Sequence, residues 1–353
     1  MVDIRDVEVI ALNFKRRLSG VTSTIVQLVP CQADLGLRIA TLGVGLPDSL
    51  PKIAWRSLWR LWSPPPGRSH RIWHARRNNE MAVGVLLRDG LRMPLKLVFT
   101  SAAQRRHTAY TRFLIRRMDA VIATSGRSGA FLDVAHRVIR HGVDVARFRA
   151  AAQSQPEDAG DAPLLVGCFG RVRHQKGTDL FVRAMIELLP HHPQWRAVVC
   201  GRVTAKEARF GETLTEAVSK AGLTDRIRFP GEVDDITPWY RRLTLYVAPS
   251  RNEGFGLTPL EAMASGVAVV ASDAGAYAEM VVPGETGAVV PAGDYEALRD
   301  ALALYLADPV AARRAGEAGL ARVSADFALA GEARAVNDVY ATLLDPYTRG
   351  AEA

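Results

Sequence analysis

The chain has 353 residues, of which 48% are hydrophobic, and its formal net charge is +8. This length exceeds what one hydrophobic core usually supports, so two domains are expected. Its three cysteines, Cys31, Cys168 and Cys200, are too few for a disulfide framework or a cysteine-rich metal site, and they favour a reducing cytoplasm. No basic amino-terminal segment leads into a long apolar run, so we expect a protein that is neither exported nor membrane-spanning.

The charge is distributed unevenly along the chain. Residues 1–150 contain 25 lysines and arginines against 10 acidic residues, a net charge of +15, whereas the remainder has a net charge of −7. Arginine makes up 22 of these 25 basic residues, and its guanidinium binds phosphates and carboxylates through paired hydrogen bonds. The first half is therefore expected to meet an anionic partner. Nucleic acid, anionic lipid and an acidic glycolipid are the candidates.

The first half has the pattern of a parallel α/β domain, which we place at residues 1–150. Apolar runs separated by segments of helical length predict strands at 7–12, 38–42, 95–100 and 120–124. The segment 55–62 is aromatic and basic, and three prolines and a glycine follow it. We therefore expect this segment to leave the sheet.

The second half repeats this pattern after a linker. Residues 150–163 lose aromatic side chains and gain proline, glycine and acids, which is typical of a linker. A doubly wound domain is predicted at 151–330, with strands at 164–169, 195–200, 227–229, 245–247, 267–271 and 288–290. Helical patterns close the chain, and the apolar stripe of the last one, within 331–353, suits packing against another element.

The strongest motif follows the strand predicted at 245–247. Glu253 precedes a turn that contains Gly254 and Gly256, and Glu261 lies on the helix that follows. Ligands of open parallel sheets bind at this edge, where glycine amides and a helix N-terminus suit phosphate oxygens. The two carboxylates would accept hydrogen bonds from hydroxyls such as those of a sugar and a ribose. An isolated glutamate pair would more simply cap a helix or lie in a solvent loop, but the glycine turn favours a ligand site.

A second motif, Gly170-Arg171-Val-Arg-His-Gln-Lys176-Gly177, follows the strand predicted at 164–169. Its two cations lie five residues apart between glycines at a strand-to-helix turn, where they suit a diphosphate. Alone, the motif could equally be a solvated loop. No GxxxxGK[ST] phosphate-binding loop occurs in the sequence, which disfavours ATP hydrolysis.

Together, the two motifs resemble the donor site of the retaining GT-B glycosyltransferases of family 4, also called group 1. Further matches in chain order are Ser19-Gly20-Val21, His141-Gly142-Val143-Asp144 and Phe229-Pro-Gly231. The resemblance implies an α/β protein with the GT-B fold, in which two Rossmann-like, doubly wound parallel-sheet domains face a cleft. It further implies that residues 1–150 bind the acceptor, that residues 151–330 bind a nucleotide sugar, and that a C-terminal helix in 331–353 packs back on the first domain.

The resemblance also implies roles for individual residues. Arg171 and Lys176 would stabilise the departing nucleoside diphosphate and Glu253 would hold the sugar hydroxyls, so these three are the implied catalytic residues. Glu261 would bind the ribose, and the base would lie near Arg202 and the segment 231–233. The implied donor-binding set is Gly20, Gly170, Arg171, Lys176, Arg202, Val233, Glu253, Gly254, Phe255, Gly256, Leu257, Thr258 and Glu261. No metal and no cofactor besides the nucleotide-sugar donor is implied, because the Arg/Lys pair can replace a metal ion.

The sequence departs from the family at one position. Many relatives place a histidine after the strand that corresponds to 96–100, where it contacts the donor sugar. Here Thr100-Ser101-Ala102-Ala103 follows instead, so that role has no residue. His107 faces either the acceptor or solvent on this pattern, and no catalytic base is assigned.

Within the family, the arginine- and tryptophan-rich first half resembles lipopolysaccharide core mannosyltransferases of the rhizobial type. This implies a hexosyltransferase that moves mannose from GDP-mannose to the inner core of lipid A, an anionic glycolipid. The enzyme would be cytoplasmic and peripheral on the inner membrane. The expected acceptor-binding residues are Arg76, Arg77, Arg105, Arg106 and His107.

Three alternatives stay open at this point. The donor could be a UDP-sugar, with another glycolipid or a polysaccharide as acceptor. A sugar-nucleotide epimerase of the same fold would leave the basic half without a role. A nucleic-acid-binding protein would fit the charge, but no recognisable nucleic-acid module accompanies it, and we do not expect nucleic acid as a partner.

Overall fold

The structure is a computed structural model, and it describes residues 1–16, 20–152 and 163–344. Ser19 of the first-loop motif, most of the predicted linker (153–162) and the end of the predicted tail (345–353) lie outside the described residues. The chain forms two compact units. One is Met1–Gly142 together with the helix that begins at Leu329, and the other is Val143–Ala328.

The first unit is built on a parallel six-stranded sheet in the order β2-β1-β3-β4-β5-β6. Its strands are β1 (Val9–Asn13), β2 (Ile39–Gly43), β3 (Arg71–Ala75), β4 (Leu95–Ser101), β5 (Ala120–Ala123) and β6 (Arg137–Val138). Its helices are α1 (Gly20–Asp34), α2 (Asn78–Val85), α3 (Ala109–Ile115) and α4 (Gly126–Gly129). Outside the sheet, as expected, lies a 3₁₀ helix at Trp55–Trp62, and a π-helical turn at Leu86–Gly90 follows α2.

The second unit has a sheet of the same size in the order β12-β11-β10-β7-β8-β9. Its strands are β7 (Leu164–Phe169), β8 (Trp195–Cys200), β9 (Ile227–Gly231), β10 (Leu245–Ala248), β11 (Ala268–Ser272) and β12 (Gly287–Val290). Its helices are α5 (Val145–Ala152), α6 (Thr178–Leu188), α7 (Ala208–Lys220), α8 (Thr237–Arg241), α9 (Thr258–Ala264), α10 (Tyr277–Met280), α11 (Tyr295–Ala307) and α12 (Pro309–Asp326).

The unit boundaries differ from those expected from the sequence at 150/151 and 330/331. Helix α5 overlaps the predicted linker at 150–152, so the expected start of the linker was wrong. The helix lies in the second unit, where the Phe148 ring packs edge-on against Tyr240 at 5.7 Å between centroids. The last helix, α13 (Leu329–Leu344), belongs to the first unit. Its apolar stripe packs on α1, and Val336 and Tyr340 share a buried core with Val9 of β1.

Helix α13 is also tied to the end of the first unit by polar contacts. The Glu332 carboxylate is 2.7 Å from His141 Nδ1 and accepts a 2.7 Å hydrogen bond from the backbone N–H of Gly142. All of these groups are buried, so they are satisfied only when α13 is in place.

The central strands are apolar on both faces because helices cover both sides of each sheet. In β1, Val9 and Ala11 join the core on one face, while Ile10 and Leu12 join the core on the other. Among the described residues, no helix combines the length and apolar character needed to cross a membrane.

Strand β3 was not predicted, because Arg71 and His74 interrupt its apolar pattern. The structure buries both side chains. Arg71 donates hydrogen bonds of 2.7, 3.0 and 3.1 Å to the carbonyls of Val7, Ile4 and Ser63, and burial lowers its pKa to about 10. Arg71 is therefore a structural residue that fastens the strand to the segments on either side of it.

Each sheet has one point at which successive chain connections run to opposite sides along the sheet. In the second unit, β7 pairs with β10 on one side and β8 on the other, so chain connections leave in opposite directions from the β7/β10 boundary. In the first unit, the reversal lies between β1 and β3. Loops diverge at such a point and leave a crevice beyond the carboxyl ends of the strands, where ligands of doubly wound sheets bind.

Candidate active site

The two sequence motifs meet at the reversal point of the second unit. The loop after β7 carries Lys176 and the loop after β10 carries Glu253, and Lys176 Nζ donates a hydrogen bond to Glu253 Oε2. Their side chains are 21% and 18% exposed, so the ion pair lies at the protein surface but is shielded from most of the solvent. Two residues 77 positions apart in the chain thus form one polar cluster, and their roles toward a donor stay a prediction.

Arg251 holds these two loops together. Its backbone N–H donates to the carbonyl of Gln175 at 2.9 Å, and its guanidinium donates two hydrogen bonds of 2.7 Å to the Asp179 carboxylate. The same guanidinium donates to the carbonyl of His174 at 2.7 Å. Sequence reasoning missed Arg251, because nothing in the local pattern separates it from the other exposed arginines.

Two glycines permit this close approach. Gly177 has a φ of +69°, and a Cβ at that position would lie 1.9 Å from the carbonyl oxygen of Pro249. Gly275 has a φ of +65°, and its Cβ would lie 2.9 Å from Glu253 Cβ. Any side chain at either position would push the loops apart, because left-handed backbone and steric overlap both disfavour it.

A tyrosine that the sequence did not suggest completes the surroundings of Glu253. The Tyr277 hydroxyl lies 3.4 Å from Glu253 Oε2, and the Gly254 backbone N–H donates to Oε1 at 3.2 Å. Burial raises the pKa of Tyr277 well above its usual range, and the Glu253 charge raises it further. Tyr277 therefore stays protonated and acts as a hydrogen-bond donor to the carboxylate.

The glycine-rich segment between β10 and α9 places its backbone at the same edge of the sheet. The Phe255 ring is buried in the core, so only the backbone of this residue is available to a donor. Gly256 has a φ of +83°, Leu257 caps α9 and Thr258 is the first residue of that helix. These residues occupy the expected turn, and their contacts with a donor stay a prediction.

Glu261 lies one turn into α9 and faces the inside of the unit. Its Oε2 accepts a 2.9 Å hydrogen bond from the hydroxyl of Tyr240, which is fully buried. Burial raises the pKa of Glu261, while the Tyr240 bond and the charges of Arg147 and Lys176 oppose that rise. The hydrogen bond from Tyr240 orients the carboxylate, and a contact of Glu261 with a donor stays a prediction.

We expect Glu261→Gln to separate stability from donor binding. Because the folded pKa lies above the unfolded one, the wild type loses stability as the pH rises above about 4.5, where the unfolded chain ionises first. Glutamine keeps an acceptor for Tyr240 but cannot ionise, so the variant should gain stability relative to wild type as the pH is raised from 4 to 8. Its donor affinity should fall about tenfold or more, because a bond to a charged acceptor is lost.

Urea unfolding at several pH values and calorimetric titration with nucleotide sugar measure the two effects. Glu216→Gln, an exposed change on α7, is the matched control and should alter neither. A Glu261→Gln protein that binds the donor as wild type does would remove Glu261 from the donor site.

The remaining donor-binding candidates surround this pair or lie on neighbouring strand ends. Gly170 and Arg171 line a small cavity of about 10 Å³, with room for one water, at the carboxyl ends of β7 and β10. Arg202 follows β8 and lies 3.7 Å from Glu232, and Val233 follows β9, whose end is joined to Gly201 by a 2.8 Å backbone hydrogen bond. Gly20 begins α1 in the first unit, so its contact with the donor stays a prediction.

A much larger cavity, of about 790 Å³, lies at the opposite edge of the same sheet. It is lined by the first residues of β7 and β8 and by arginines that include Arg196, Arg228 and Arg313. None of the residues implied in donor binding lines it. The charged side chains of the two motif loops meet at the carboxyl edge, away from this cavity.

The structure places Arg76 and Arg77 beside a buried carboxylate of the first unit, and their contact with an acceptor stays a prediction. Arg77 Nη1 donates to Glu80 Oε1 at 2.7 Å and to Asn13 Oδ1 at 2.8 Å. The fully buried Glu80 carboxylate also accepts backbone N–H bonds from Phe14 (3.1 Å) and Arg76 (2.7 Å). This network joins the ends of β1 and β3, and burial lowers the pKa of Arg76. Arg77 is thus held by its side chain, whereas Arg76 joins the network through its backbone N–H.

The other acceptor candidates lie nearer the solvent. Arg105 and Arg106 are exposed, and His107 is half-buried with its Nε2 3.4 Å from Ser101 Oγ. Burial lowers the pKa of His107, and the charge of Arg105 lowers it further. His107 is therefore suited to a neutral hydrogen-bonding role.

The Thr100 hydroxyl, near the end of β4, is contacted by a histidine from another strand. His74 of β3 is buried, with its Nε2 2.7 Å from Thr100 Oγ1 and its Nδ1 2.5 Å from the Tyr340 hydroxyl of α13. Burial lowers the pKa of His74 well below its usual range, so the ring is neutral. The neutral ring orients the Thr100 hydroxyl through this hydrogen bond. The contact could not be predicted from the sequence.

Comparison with known proteins gives the family of the chain. Residues 151–322 match the family described as glycosyl transferases group 1. Over 352 residues the chain is 68% identical to the lipopolysaccharide core biosynthesis mannosyltransferase LpcC of Rhizobium leguminosarum bv. viciae, covering 98% of this chain and 99% of that one. The chain belongs to the group 1 glycosyltransferases. The enzyme class predicted from the sequence is thereby confirmed.

Two further comparisons agree with this assignment. This group 1 glycosyltransferase is 58% identical over 350 residues to the lipopolysaccharide core biosynthesis mannosyltransferase LpsB of Rhizobium meliloti strain 1021, covering 98% and 100% of the two chains. The crystal structure of Anabaena HepE in complex with UDP superposes with a TM-score of 0.81 at 19% identity, covering 95% and 100%. At that identity the likeness supports the fold alone, and it confirms the predicted GT-B class.

Proposed function

We propose that this enzyme is a retaining mannosyltransferase that moves mannose from GDP-mannose to the inner core of lipopolysaccharide, on lipid A, at the cytoplasmic face of the inner membrane. The observation that carries the proposal is the near full-length identity of 68% to a protein named as a lipopolysaccharide core mannosyltransferase. A second relative at 58% has the same kind of name. The site geometry supports the donor part of the reaction, and the charge of the first half supports the acceptor part.

In the proposed reaction, the bond between the sugar and the diphosphate breaks, and negative charge grows on the departing phosphate oxygen. Fixed cations that point at this oxygen lower the barrier, because they are already oriented before the charge develops. Lys176 and Arg171 occupy the loop that would supply them. Glu253 would accept hydrogen bonds from the sugar hydroxyls, so the ion pair it makes with Lys176 would be exchanged for contacts with the two ends of the donor.

The acceptor in this proposal is anionic, as the +15 charge of residues 1–150 favours. Arg105 and Arg106 are exposed and follow β4, and they are the arginines best placed to contact it. Arg76 and Arg77 are further candidates for the acceptor site. Arg77 already pairs with the buried Glu80, and Arg76 meets that carboxylate through its backbone N–H.

A thermal-shift panel of GDP-mannose, GDP, UDP-glucose and UDP tests the donor. A ligand at one hundred times its Kd adds about 2.7 kcal/mol, so GDP-mannose should raise the Tm by roughly 5 to 10 °C. GDP-mannose and GDP should raise the Tm by several degrees more than UDP-glucose and UDP do. Selective stabilisation by UDP-glucose would contradict the choice of donor.

A transfer assay with lipid A inner core as acceptor tests the reaction itself. Labelled mannose should move to the acceptor only when both substrates are present. Incubation with GDP-mannose alone is the control, and conversion of the donor to an epimer under that condition would favour an epimerase.

A further inference from the structure

Three of the six tryptophans of the chain are exposed on one short segment of the first unit. In the 3₁₀ helix Trp55–Trp62, the side chains of Trp55, Trp59 and Trp62 are 49%, 63% and 52% exposed. Leu61 of the same helix is fully buried and anchors the segment, while Trp59 and Trp62, three residues apart, share another side of the 3₁₀ helix. Exposed aromatic side chains at this density indicate an interaction surface rather than ordinary solvent-facing structure.

These indoles are held in place. Trp55 packs on Phe14 at 5.1 Å between ring centroids, and Trp62 Nε1 donates a 3.0 Å hydrogen bond to the carbonyl of Leu91. Leu91 is itself exposed, so it extends the apolar area beside Trp62. We call Trp55, Trp59, Trp62 and Leu91 the tryptophan face. Because its members are already ordered, binding a partner costs little further side-chain entropy.

Arginines border the tryptophan face. Arg56 is exposed on the same helix, and Arg60 lies with its Cζ 5.2 Å from the centre of the Trp59 ring. Arg92 follows Leu91 and is also exposed. Indole rings beside cations match the interfacial layer of a lipid bilayer, where tryptophan lies at the headgroup level and arginine reaches the phosphates. A second copy of the chain would fit less well, since its own first half is strongly cationic.

We propose that the tryptophan face inserts into the headgroup layer of a bilayer that contains anionic lipid, and that it docks the first unit on the membrane. The attraction is the sum of indole partitioning and of arginine contacts with a negative surface. The proposal deepens the proposed function, because a lipid-anchored acceptor would be found on that membrane. Docking itself does not depend on which sugar is transferred.

Binding of the full-length protein to vesicles tests the docking directly. With vesicles of phosphatidylcholine and phosphatidylglycerol, the protein should co-sediment and its tryptophan emission should shift to shorter wavelength. Trp73 and Trp195 are already buried, so they do not contribute to that shift. Vesicles of phosphatidylcholine alone should bind much more weakly, and added salt should release the protein.

The double variant Trp59→Ser/Trp62→Ser should bind anionic vesicles at least about tenfold more weakly, as loss of two buried aromatic anchors implies. Arg56→Glu should weaken binding by about fivefold or more. Leu304→Ser is the matched control, because Leu304 is 73% exposed on α11 of the second unit. This variant should bind vesicles as the wild type does. Wild-type Tm values would show that the variants are folded.

Three results would overturn the docking proposal. They are wild-type vesicle binding by the double tryptophan variant, equal binding to both vesicle types, and self-association through the tryptophan face in the absence of vesicles.

Transfer assays distinguish a failure of the docking proposal from a failure of the proposed function. The double variant should transfer mannose at the wild-type rate to acceptor in detergent and much more slowly to acceptor in vesicles. Vesicle binding without any transfer by the wild type would reject the proposed reaction and leave docking intact.

Discussion

Lys176→Met should lower the rate of sugar transfer by about 10²- to 10³-fold, the usual effect of removing one fixed electrostatic contact with a developing negative charge. Methionine keeps the aliphatic stem of Lys176 but loses the ammonium that contacts Glu253 in this structure. Glu253 retains its hydrogen bond from the Gly254 backbone and its contact with Tyr277, so the loop after β10 should hold its conformation. The measurement is the rate of mannose transfer at saturating donor.

Lys206→Met serves as the control, because Lys206 is an exposed lysine of the same unit that lies in the turn before α7. It should leave the rate unchanged. Circular dichroism and the Tm establish that Lys176→Met is folded, since the lost ion pair is partly exposed and should cost no more than about 1 kcal/mol of stability. A folded Lys176→Met enzyme with wild-type turnover would remove Lys176 from catalysis.

Arg77→Glu should lower the free energy of unfolding by about 3–5 kcal/mol, the typical cost of breaking a buried ion pair on one side. Glu80 is fully buried, and Arg77 supplies the charge that faces it at 2.7 Å. The substitution removes that charge and places a second carboxylate beside the first. Asn13 also loses its 2.8 Å hydrogen bond from Arg77, which opens the end of β1. Chemical denaturation monitored by fluorescence measures the loss.

Arg106→Glu makes the same charge change on an exposed side chain. It should leave the free energy of unfolding within about 0.5 kcal/mol of wild type. If the two variants unfolded alike, the network around Glu80 would not stabilise the first unit. Acceptor affinity should be compared with wild type only for Arg106→Glu. In Arg77→Glu, a lower affinity could result from the destabilised first unit alone.

The second sheet could be predicted closely because its strands are covered on both faces. Such strands read as continuous apolar runs, and the bounds expected for 164–169 and 195–200 are those of β7 and β8. Strand β3 could not be predicted in this way. Arg71 and His74 look solvent-exposed in the sequence, and only the carbonyls and hydroxyls around them, which come from distant segments, make their burial possible.

The chemistry of the candidate site was predictable where it depends on local sequence. Lys176 and Glu253 stand in short loops after strands, and parallel strands bring such loops to one edge. Arg251 and Tyr277 were not predictable, because their roles depend on the residues they meet. Arg251 meets Asp179 from 72 positions away, and Tyr277 meets Glu253 from 24 positions away.

The basic first half shows the limit of charge counting. Composition gives the number of arginines but not how many are used inside the fold. Arg71 and Arg77 satisfy buried oxygens, whereas Arg56, Arg92 and Arg106 face solvent. The anionic partner expected from the net charge must therefore meet a smaller set of arginines than the count suggested.

The placement of α13 has a consequence for how the protein is made. Tyr340 and Val336 complete a core whose other members, such as Val9, are synthesised long before them. The second unit is continuous in the chain from Val143 to Ala328, so its folding does not require α13. Although the first unit emerges from the ribosome first, it is completed last. Until then, the surface that α13 covers is open to chaperones and to aggregation.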